Sequence, residues 1–145
     1  MKISTRSRYG VRMMLALAKN YGKGSLFLKD IAKTEDISEK YLSQIIIPLR
    51  GVGLVHSIRG AHGGYKLAKE PAKITMKDIV DVLEGERLID CVKDHAACSR
   101  MGSCASRDIW RMLEGKISDI LASITLEKLV QMDQDSALRM MGENI

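Results

Sequence analysis

The sequence predicts a mainly α fold with one small β-hairpin, and three observations lead to this prediction. Apolar residues recur at three- and four-residue spacing along most of the 145 residues, which is typical of amphipathic helices. One stretch, 53–68, instead alternates around a glycine-rich centre, as a hairpin does. Aromatic residues make up only 4% of the chain, whereas nine methionines and many Leu and Ile residues supply the apolar volume, a mix that favours helices packed on helices.

The front of the chain predicts a helix-turn-helix. Apolar periodicity indicates helices over the ranges 5–20, 28–35 and 39–50. Ser38 is a good N-cap for the third helix, whose free face carries small polar and basic residues. On that face, Ser43 and Gln44 can form hydrogen bonds with base edges in a DNA major groove.

The alternating stretch that follows predicts a wing beside these helices. Two strands, 53–58 and 65–68, flank a tip of six residues that contains three glycines. Arg59 on this narrow tip is well placed to enter a minor groove, where the negative potential is deepest; the alternative is an exposed charge on a loop. We interpret His56 and His62 as surface residues rather than metal ligands.

Behind the wing, the sequence predicts a short helix, a loop and a long helix. Thr75 and Asp78 have the spacing of a capping box, and Gly85 stops the helix that they open. A second helix runs from 105 to 122, about 27 Å at 1.5 Å per residue. This helix is longer than the small domain before it, so packing against a second copy is the natural way to bury its far side.

Three segments result. They are a winged helix-turn-helix DNA-binding domain over 1–84, a cysteine-containing loop over 85–104, and dimerisation helices with a tail over 105–145. Within the last segment, Thr125 caps a final helix, and the tail from Asp133 is expected to be weakly ordered. The predicted fold is therefore a winged helix-turn-helix with a long C-terminal dimerisation helix.

Charge is distributed unevenly along the chain. Residues 1–70 contain 13 Lys and Arg against 5 Asp and Glu, whereas residues 71–145 contain 10 against 13. Only the front half is therefore expected to meet a polyanion. Near the start of the first helix, Arg6, Arg8 and Arg12 can contact phosphates or lie in water.

The remaining composition argues against several classes of protein. No apolar run approaches the roughly 18 residues that span a membrane, and the first residues lack a secretory signal. We therefore expect a cytoplasmic protein whose thiols stay reduced, with no membrane partner. No second set of acid and base residues surrounds the cysteines, so we expect no enzyme activity.

All three cysteines, Cys91, Cys98 and Cys104, lie in the predicted loop. Six residues separate the first two and five separate the last two, so the paired two-residue spacing of a zinc ribbon or finger is absent. Loose spacing on a loop suits an iron–sulfur cluster held by thiolates. Spacing alone leaves three alternatives open: a cluster, a zinc ion or free thiols.

Three runs of the sequence carry a family resemblance: Met1-Lys2-Ile3-Ser4-Thr5-Arg6-Ser7-Arg8-Tyr9, Ser38-Glu39-Lys40-Tyr41-Leu42-Ser43-Gln44, and Gly53-Leu54-Val55 leading to Ser57-Ile58-Arg59-Gly60-Ala61-His62-Gly63-Gly64-Tyr65. They resemble the IscR/CymR/NsrR family of bacterial winged-helix transcription regulators. The resemblance implies a homodimer that reads a palindromic operator in double-stranded DNA. Together with the winged-helix interpretation, it predicts these DNA-binding residues: Ser38, Lys40, Tyr41, Ser43, Gln44, Arg59, His62 and Gly63.

The resemblance also bears on the cysteines. IscR-type and NsrR-type members carry three cysteines between the fourth helix and the long helix, and these bind an iron–sulfur cluster. CymR-type members, which regulate cysteine metabolism, lack the set. Cys91, Cys98 and Cys104 thus imply an IscR-like cluster, [2Fe-2S] with [4Fe-4S] as the alternative.

The implied function is a repressor that senses cluster status and controls the genes of cluster biogenesis. Two alternatives stay open. One is a regulator of cysteine or sulfur metabolism or of nitrosative stress, within the same family. The other is a zinc-stapled DNA-binding protein without a sensing role.

The fourth cluster ligand departs from the family pattern. IscR-type proteins place a histidine three residues after the last cysteine, where this chain has Arg107. Some NsrR-type relatives use an acidic residue at the eighth position of the partner subunit, and this chain has Arg8 at that position. An arginine has no lone pair to offer iron. His95 and Asp108 are the nearby replacements, followed by Asp94.

Overall fold

A computed structural model of the chain describes residues 3–86, 89–94, 96, 98–100 and 102–143. In chain order the elements are α1 (Thr5–Lys19), α2 (Leu28–Glu35), α3 (Glu39–Gly51), β1 (Val55–Ile58), β2 (Gly64–Leu67), a short 3₁₀ turn (Pro71–Lys73), α4 (Met76–Glu84), α5 (Asp90–Lys93), α6 (Ala105–Ser123) and α7 (Leu126–Gly142). The two strands pair antiparallel, from Val55 opposite Leu67 to Ile58 opposite Gly64. The predicted mainly α fold with a hairpin wing and a long C-terminal helix is confirmed.

Four helices begin where a side chain caps them. A hydroxyl oxygen accepts a hydrogen bond from a backbone N–H of the first turn at Ser4, Ser38, Thr75 and Thr125. At α4 the capping box is complete, because the Asp78 carboxylate accepts in return from the backbone N–H of Thr75 at 2.7 Å. These caps satisfy N–H groups that have no partner inside the helix, so each helix start is fixed locally.

The hydrophobic core lies between α1, α2 and α3 and is closed by the hairpin, α4 and the start of α7. Its most deeply buried side chains are Met13, Met14, Leu17, Leu42, Ile45, Leu49, Val55, Ile74, Ile79 and Leu126. Each large aliphatic side chain buried here contributes roughly 1.5–3 kcal/mol. In contrast, none of the residues of α6 is buried within the single chain.

Two backbone hydrogen bonds join the start of α7 to the start of α4. The N–H of Met76 donates to the carbonyl of Ile124, and the N–H of Leu126 donates to the carbonyl of Ile74, each at 2.8 Å. Further along, α7 packs against α1. The last helix therefore packs back on the front domain, which consists of α1 to α4 and the hairpin.

Two expectations about the rear of the chain are corrected. The tail from Asp133 is not weakly ordered over 133–142, because α7 continues to Gly142. Its anchors are long-range: Leu126 is buried in the front core, and Asp133 pairs with Lys19 at 2.7 Å. The predicted loop 85–104 also contains one helical turn, α5.

Among the residues that the structure describes, no helix combines the length and the hydropathy that crossing a membrane requires.

A hydrogen bond joins the end of α4 to the start of α1. The backbone N–H of Ser4 donates to Glu84 Oε1 at 2.8 Å. The Ser4 side chain contributes most to a lowered pKa of Glu84, below its usual value of 4.5, and this backbone hydrogen bond and the charge of Arg6 act in the same direction, because each favours the charged form. The carboxylate thus ties the helix that leads into the cysteine loop to the N-terminus of the first helix.

This link predicts a specific acid sensitivity. Because the folded pKa of Glu84 is lowered, its contribution to stability is present above pH 4.5 and is lost as pH falls through the folded pKa. Glu84→Gln should therefore be less stable than the wild type near neutral pH, and the gap should narrow below pH 4.5. Urea unfolding from pH 7 to pH 3 measures it. Glu70→Gln is the control, since Glu70 pairs with Lys73 in the same turn. A stability difference between Glu84→Gln and the wild type that stays constant with pH would contradict the role of the Ser4–Glu84 hydrogen bond.

Candidate nucleic-acid interface and cysteine loop

The free face of α3 carries most of the predicted base-reading residues. Lys40 and Gln44 are exposed, and Ser43 is half-buried between them. The Ser43 hydroxyl donates to the carbonyl of Lys40 at 2.7 Å, which leaves its oxygen able to accept from a base. Ile47, one helical turn further on, is 60% exposed, and an apolar side chain there suits a thymine methyl group. Ile47 was not among the predicted DNA-binding residues.

The start of α3 is held against α1 by aromatic packing. The Tyr41 ring meets the Tyr9 ring edge-on, with centroids 5.8 Å apart. The Arg12 guanidinium lies over the Tyr9 ring, 5.6 Å from its centre, and its Nε donates to Glu35 Oε2 at 3.0 Å. Arg6, Arg8 and Arg12 are all exposed, but Arg12 is bonded to the end of α2 and Arg8 to Thr5. A DNA contact by Tyr41 stays a prediction.

The wing presents Arg59 and His62 to solvent at its tip. Gly63, also predicted to bind DNA, is instead buried in the turn. There its N–H donates to the carbonyl of Gly60 at 2.9 Å, and a Cβ at residue 63 would collide with the backbone of Ile58. Glycine at this position allows the two strands to close, so it shapes the tip that carries Arg59.

A residue that the sequence did not point to braces this tip. The Ser25 hydroxyl lies 2.9 Å from the carbonyl of His62 and 2.7 Å from that of Gly63. Beside it, Leu26 and Tyr65 exchange two backbone hydrogen bonds of 2.9 and 2.7 Å. The wing is thus fixed to the segment before α2. Nothing local in the sequence signals this pairing, because Ser25 lies 37 residues before His62.

The cysteine loop joins α4 to α6. Cys91 lies in α5, Cys104 is the N-cap of α6, and all three thiols are free and partly exposed. The Ser106 hydroxyl, 3.1 Å from Cys104 Sγ, and the backbone N–H of Arg107 lower the pKa of the Cys104 thiol, which favours the thiolate that binds metals. Three thiols are the donor chemistry that an iron–sulfur cluster takes, so the donor set fits this group.

The described part of the loop does not gather these donors. No group of three His, Cys, Asp or Glu side chains positioned to hold a metal ion occurs among the described residues. Of the fourth-ligand candidates, His95 lies outside the described residues. The carboxylate of Asp108 pairs with Arg111 in the same helix, and Asp94 Oδ1 accepts from the N–H of Ala96 at 2.9 Å. The cysteines and a fourth ligand stay predictions.

The Arg107 side chain, at the position where IscR-type relatives place a ligand histidine, is hydrogen-bonded to α5. Its Nε and Nη2 donate to the carbonyls of Cys91 and Val92, both at 3.0 Å. The guanidinium therefore connects the first turn of α6 to α5.

One face of α6 is apolar and uncovered in the single chain. Its exposed side chains include Ile109, Trp110, Met112, Leu113 and Ile120. An exposed stripe of this kind marks an interaction surface rather than a solvated face. It lies where the sequence predicts dimerisation.

A helix-turn-helix with a braced hairpin and a basic front half defines a class of protein, the winged-helix DNA-binding transcription regulators. The chain belongs to the Rrf2 family of these regulators, since the family model described as "Iron-dependent Transcriptional regulator" matches residues 3–132. The predicted family resemblance is confirmed. Its relatives are transcription regulators and not enzymes.

CymR and IscR regulators are both similar to the chain. The transcriptional regulator CymR of Bacillus subtilis is 45% identical over 130 residues, which is 89% of each chain. IscR of Vibrio atlanticus is 35% identical over 133 residues, covering 90% of this chain and 76% of the relative.

Solved structures give the same picture. The structure of CymR, the global cysteine regulator of B. subtilis, superposes with a TM-score of 0.76 at 45% identity, covering 91% of this chain and 98% of CymR. IscR of T. potens superposes with a TM-score of 0.78 at 38% identity, covering 94% and 90%.

The brace on the wing tip makes a prediction about DNA binding. Ser25→Ala should weaken operator binding by about 0.5–1.5 kcal/mol, because Arg59 would no longer be held in place. Arg59→Ala should itself cost about 1–3 kcal/mol and relax the sequence preference. Combined with Arg59→Ala, the Ser25 substitution should add little, since both act through one contact. Fluorescence anisotropy with labelled operator DNA measures all four proteins.

Ser25→Thr is the matched control, because it keeps a hydroxyl and should keep the affinity. If Ser25→Ala weakens operator binding as much in the Arg59→Ala protein as in the wild type, Ser25 does not act through Arg59, and the brace is contradicted.

Proposed function

We propose that this chain is a repressor that senses iron–sulfur cluster status through Cys91, Cys98 and Cys104 and controls the genes of cluster biogenesis. The observation that carries the proposal is the placement of these cysteines. All three lie, partly exposed, on the connection between α4 of the DNA-binding domain and α6. A group held there would contact both halves of the chain.

The three thiolates would hold a [2Fe-2S] cluster, with [4Fe-4S] as the alternative, and His95 or Asp108 would complete the set. Such a cluster supplies a redox- and iron-dependent crosslink between its ligands. Cys104 is prepared for this role by its position at the start of α6, where hydrogen-bond donors favour the thiolate.

On the DNA side, we infer a homodimer that reads a palindromic operator. Two copies that pair through the apolar face of α6 would present two copies of α3. Dimeric helix-turn-helix proteins place such helices about 34 Å apart, one turn of DNA. Ser43, Gln44 and Lys40 would face the major groove, with Arg59 and His62 of the wing beside it.

The packing of α4 supports a coupling between the loop and the DNA. α4 contacts α1, the recognition helix α3 and the dimer helix α6. A change in how the loop is held would therefore alter the angle between α3 and α6, and with it the spacing of the two recognition helices. A ligand shifts this arrangement only as far as it binds one form better than the other.

A second candidate is a regulator of cysteine metabolism, or of sulfur metabolism or nitrosative stress more broadly. The 45% identity to CymR favours it, as does the structural match to that cysteine regulator. Under this candidate the three thiols have no resident cluster. A zinc-stapled protein without a sensing role is the third outcome of the same test.

Metal content separates these candidates. Under the proposed function, protein purified without oxygen should contain iron and acid-labile sulfide with a visible charge-transfer absorption, because the three thiolates would hold such a centre. Cys98→Ala should lose most of the iron, while Ser99→Ala, at the exposed neighbouring position, should retain it. Zinc at one per chain, or protein free of metal, would contradict the cluster.

A further inference from the structure

α5 is too short to be stable by itself. It has four residues, and helices of fewer than about 12 residues are marginal in water. Backbone hydrogen bonds at α5 run from the N–H of Asp94 to the carbonyl of Asp90 at 3.1 Å and from the N–H of Val92 to the carbonyl of Ile89 at 3.2 Å. The last four carbonyls of any α-helix have no partner inside the helix, and those of α5 include Cys91 and Val92. Contacts from elsewhere must hold this segment.

Two contacts do so. The Val92 side chain is buried, with 6% of its surface exposed. The Arg107 guanidinium donates one hydrogen bond to each of these two carbonyls, of Cys91 and Val92, at 3.0 Å. These are charge-assisted bonds from a half-buried side chain, and a planar fork of donors fits two adjacent acceptors.

Arg107 also contacts Cys104, the last of the three cysteines, through its backbone. Its N–H donates to the carbonyl of Cys104 at 3.1 Å, in the first turn of α6. One residue thus bonds the backbone of Cys91 through its side chain and that of Cys104 through its main chain.

We infer that Arg107 is a positioning residue that docks α5 on the first turn of α6 and holds the backbones of Cys91 and Cys104 on adjoining elements before any metal binds. The inference deepens the proposed function, on which its relevance to a cluster rests. The guanidinium has no lone pair to offer iron, so it fixes the segment without competing for the metal.

Hydrogen exchange in the metal-free protein tests the docking directly. In Arg107→Ala, the amides of Val92 and Asp94 should exchange roughly 10- to 100-fold faster, because the charge-assisted bonds to their turn are lost. Arg107→Lys should give a smaller increase, since an ammonium offers a single point of donation. Peptides from α3 report whether the front domain stays folded.

Arg111→Ala is the matched control. Arg111 lies one turn further along α6 and pairs with Asp108 of its own helix, so α5 exchange should not change. Unchanged exchange in Arg107→Ala, or an equal increase in Arg111→Ala, would overturn the inference.

Iron reconstitution separates the two proposals. If the chain holds a cluster and Arg107 docks α5, Arg107→Ala loses iron to a chelator faster than the wild type does. If the wild type takes up no iron while Arg107→Ala still loosens α5, the docking stands and the cluster fails. If the wild type binds the cluster while α5 exchange is unaffected by Arg107→Ala, the docking fails and the cluster stands.

Discussion

Close packing of α4 against α1 is the constraint on which the rest of the structure depends. Gly10 faces Leu83 across this contact, and a Cβ at residue 10 would overlap the leucine methyl group. Because that Cβ is missing, α4 lies directly on α1 while it also touches α3 and α6. Ile79 and Leu83 are buried there, so α4 cannot shift without disturbing the core beneath the recognition helix.

This arrangement separates α3 and the wing, which we propose to read DNA, from the cysteine loop, which we propose to sense the signal. The recognition helix and the wing are each held by contacts within the front domain, Tyr9 with Tyr41 and Ser25 with the tip. In the described part of the cysteine loop, α5 is held by the buried Val92 side chain and by Arg107 of α6. Under the proposed function, a signal at the loop would change how α6 sits against α4 and leave the contacts within α3 and the wing intact.

Local features of the fold could be predicted from the sequence, and long-range ones could not. The caps at Ser38, Thr75 and Thr125, the helix periods and the hairpin depend on residues a few positions apart. The roles of Ser25 and Arg107 depend on partners 37 and 16 residues away, which no local pattern encodes. The helical structure of residues 133–142 was not predicted for the same reason, because α7 is anchored by the burial of Leu126 and by the ion pair with Lys19. In the candidate site, the cysteines could be identified by residue type, but spacing does not determine whether they converge.

We propose that the state of the cysteine loop sets operator affinity. This coupling can be measured by comparing the anaerobic, cluster-loaded protein with Cys98→Ala on several operators selected from random-sequence DNA, at one fixed salt concentration. The two proteins should differ in Kd by roughly fivefold or more on at least one operator, the usual lower range of an allosteric coupling. Equal affinities on every operator would show that the loop and the DNA-binding surface are not coupled.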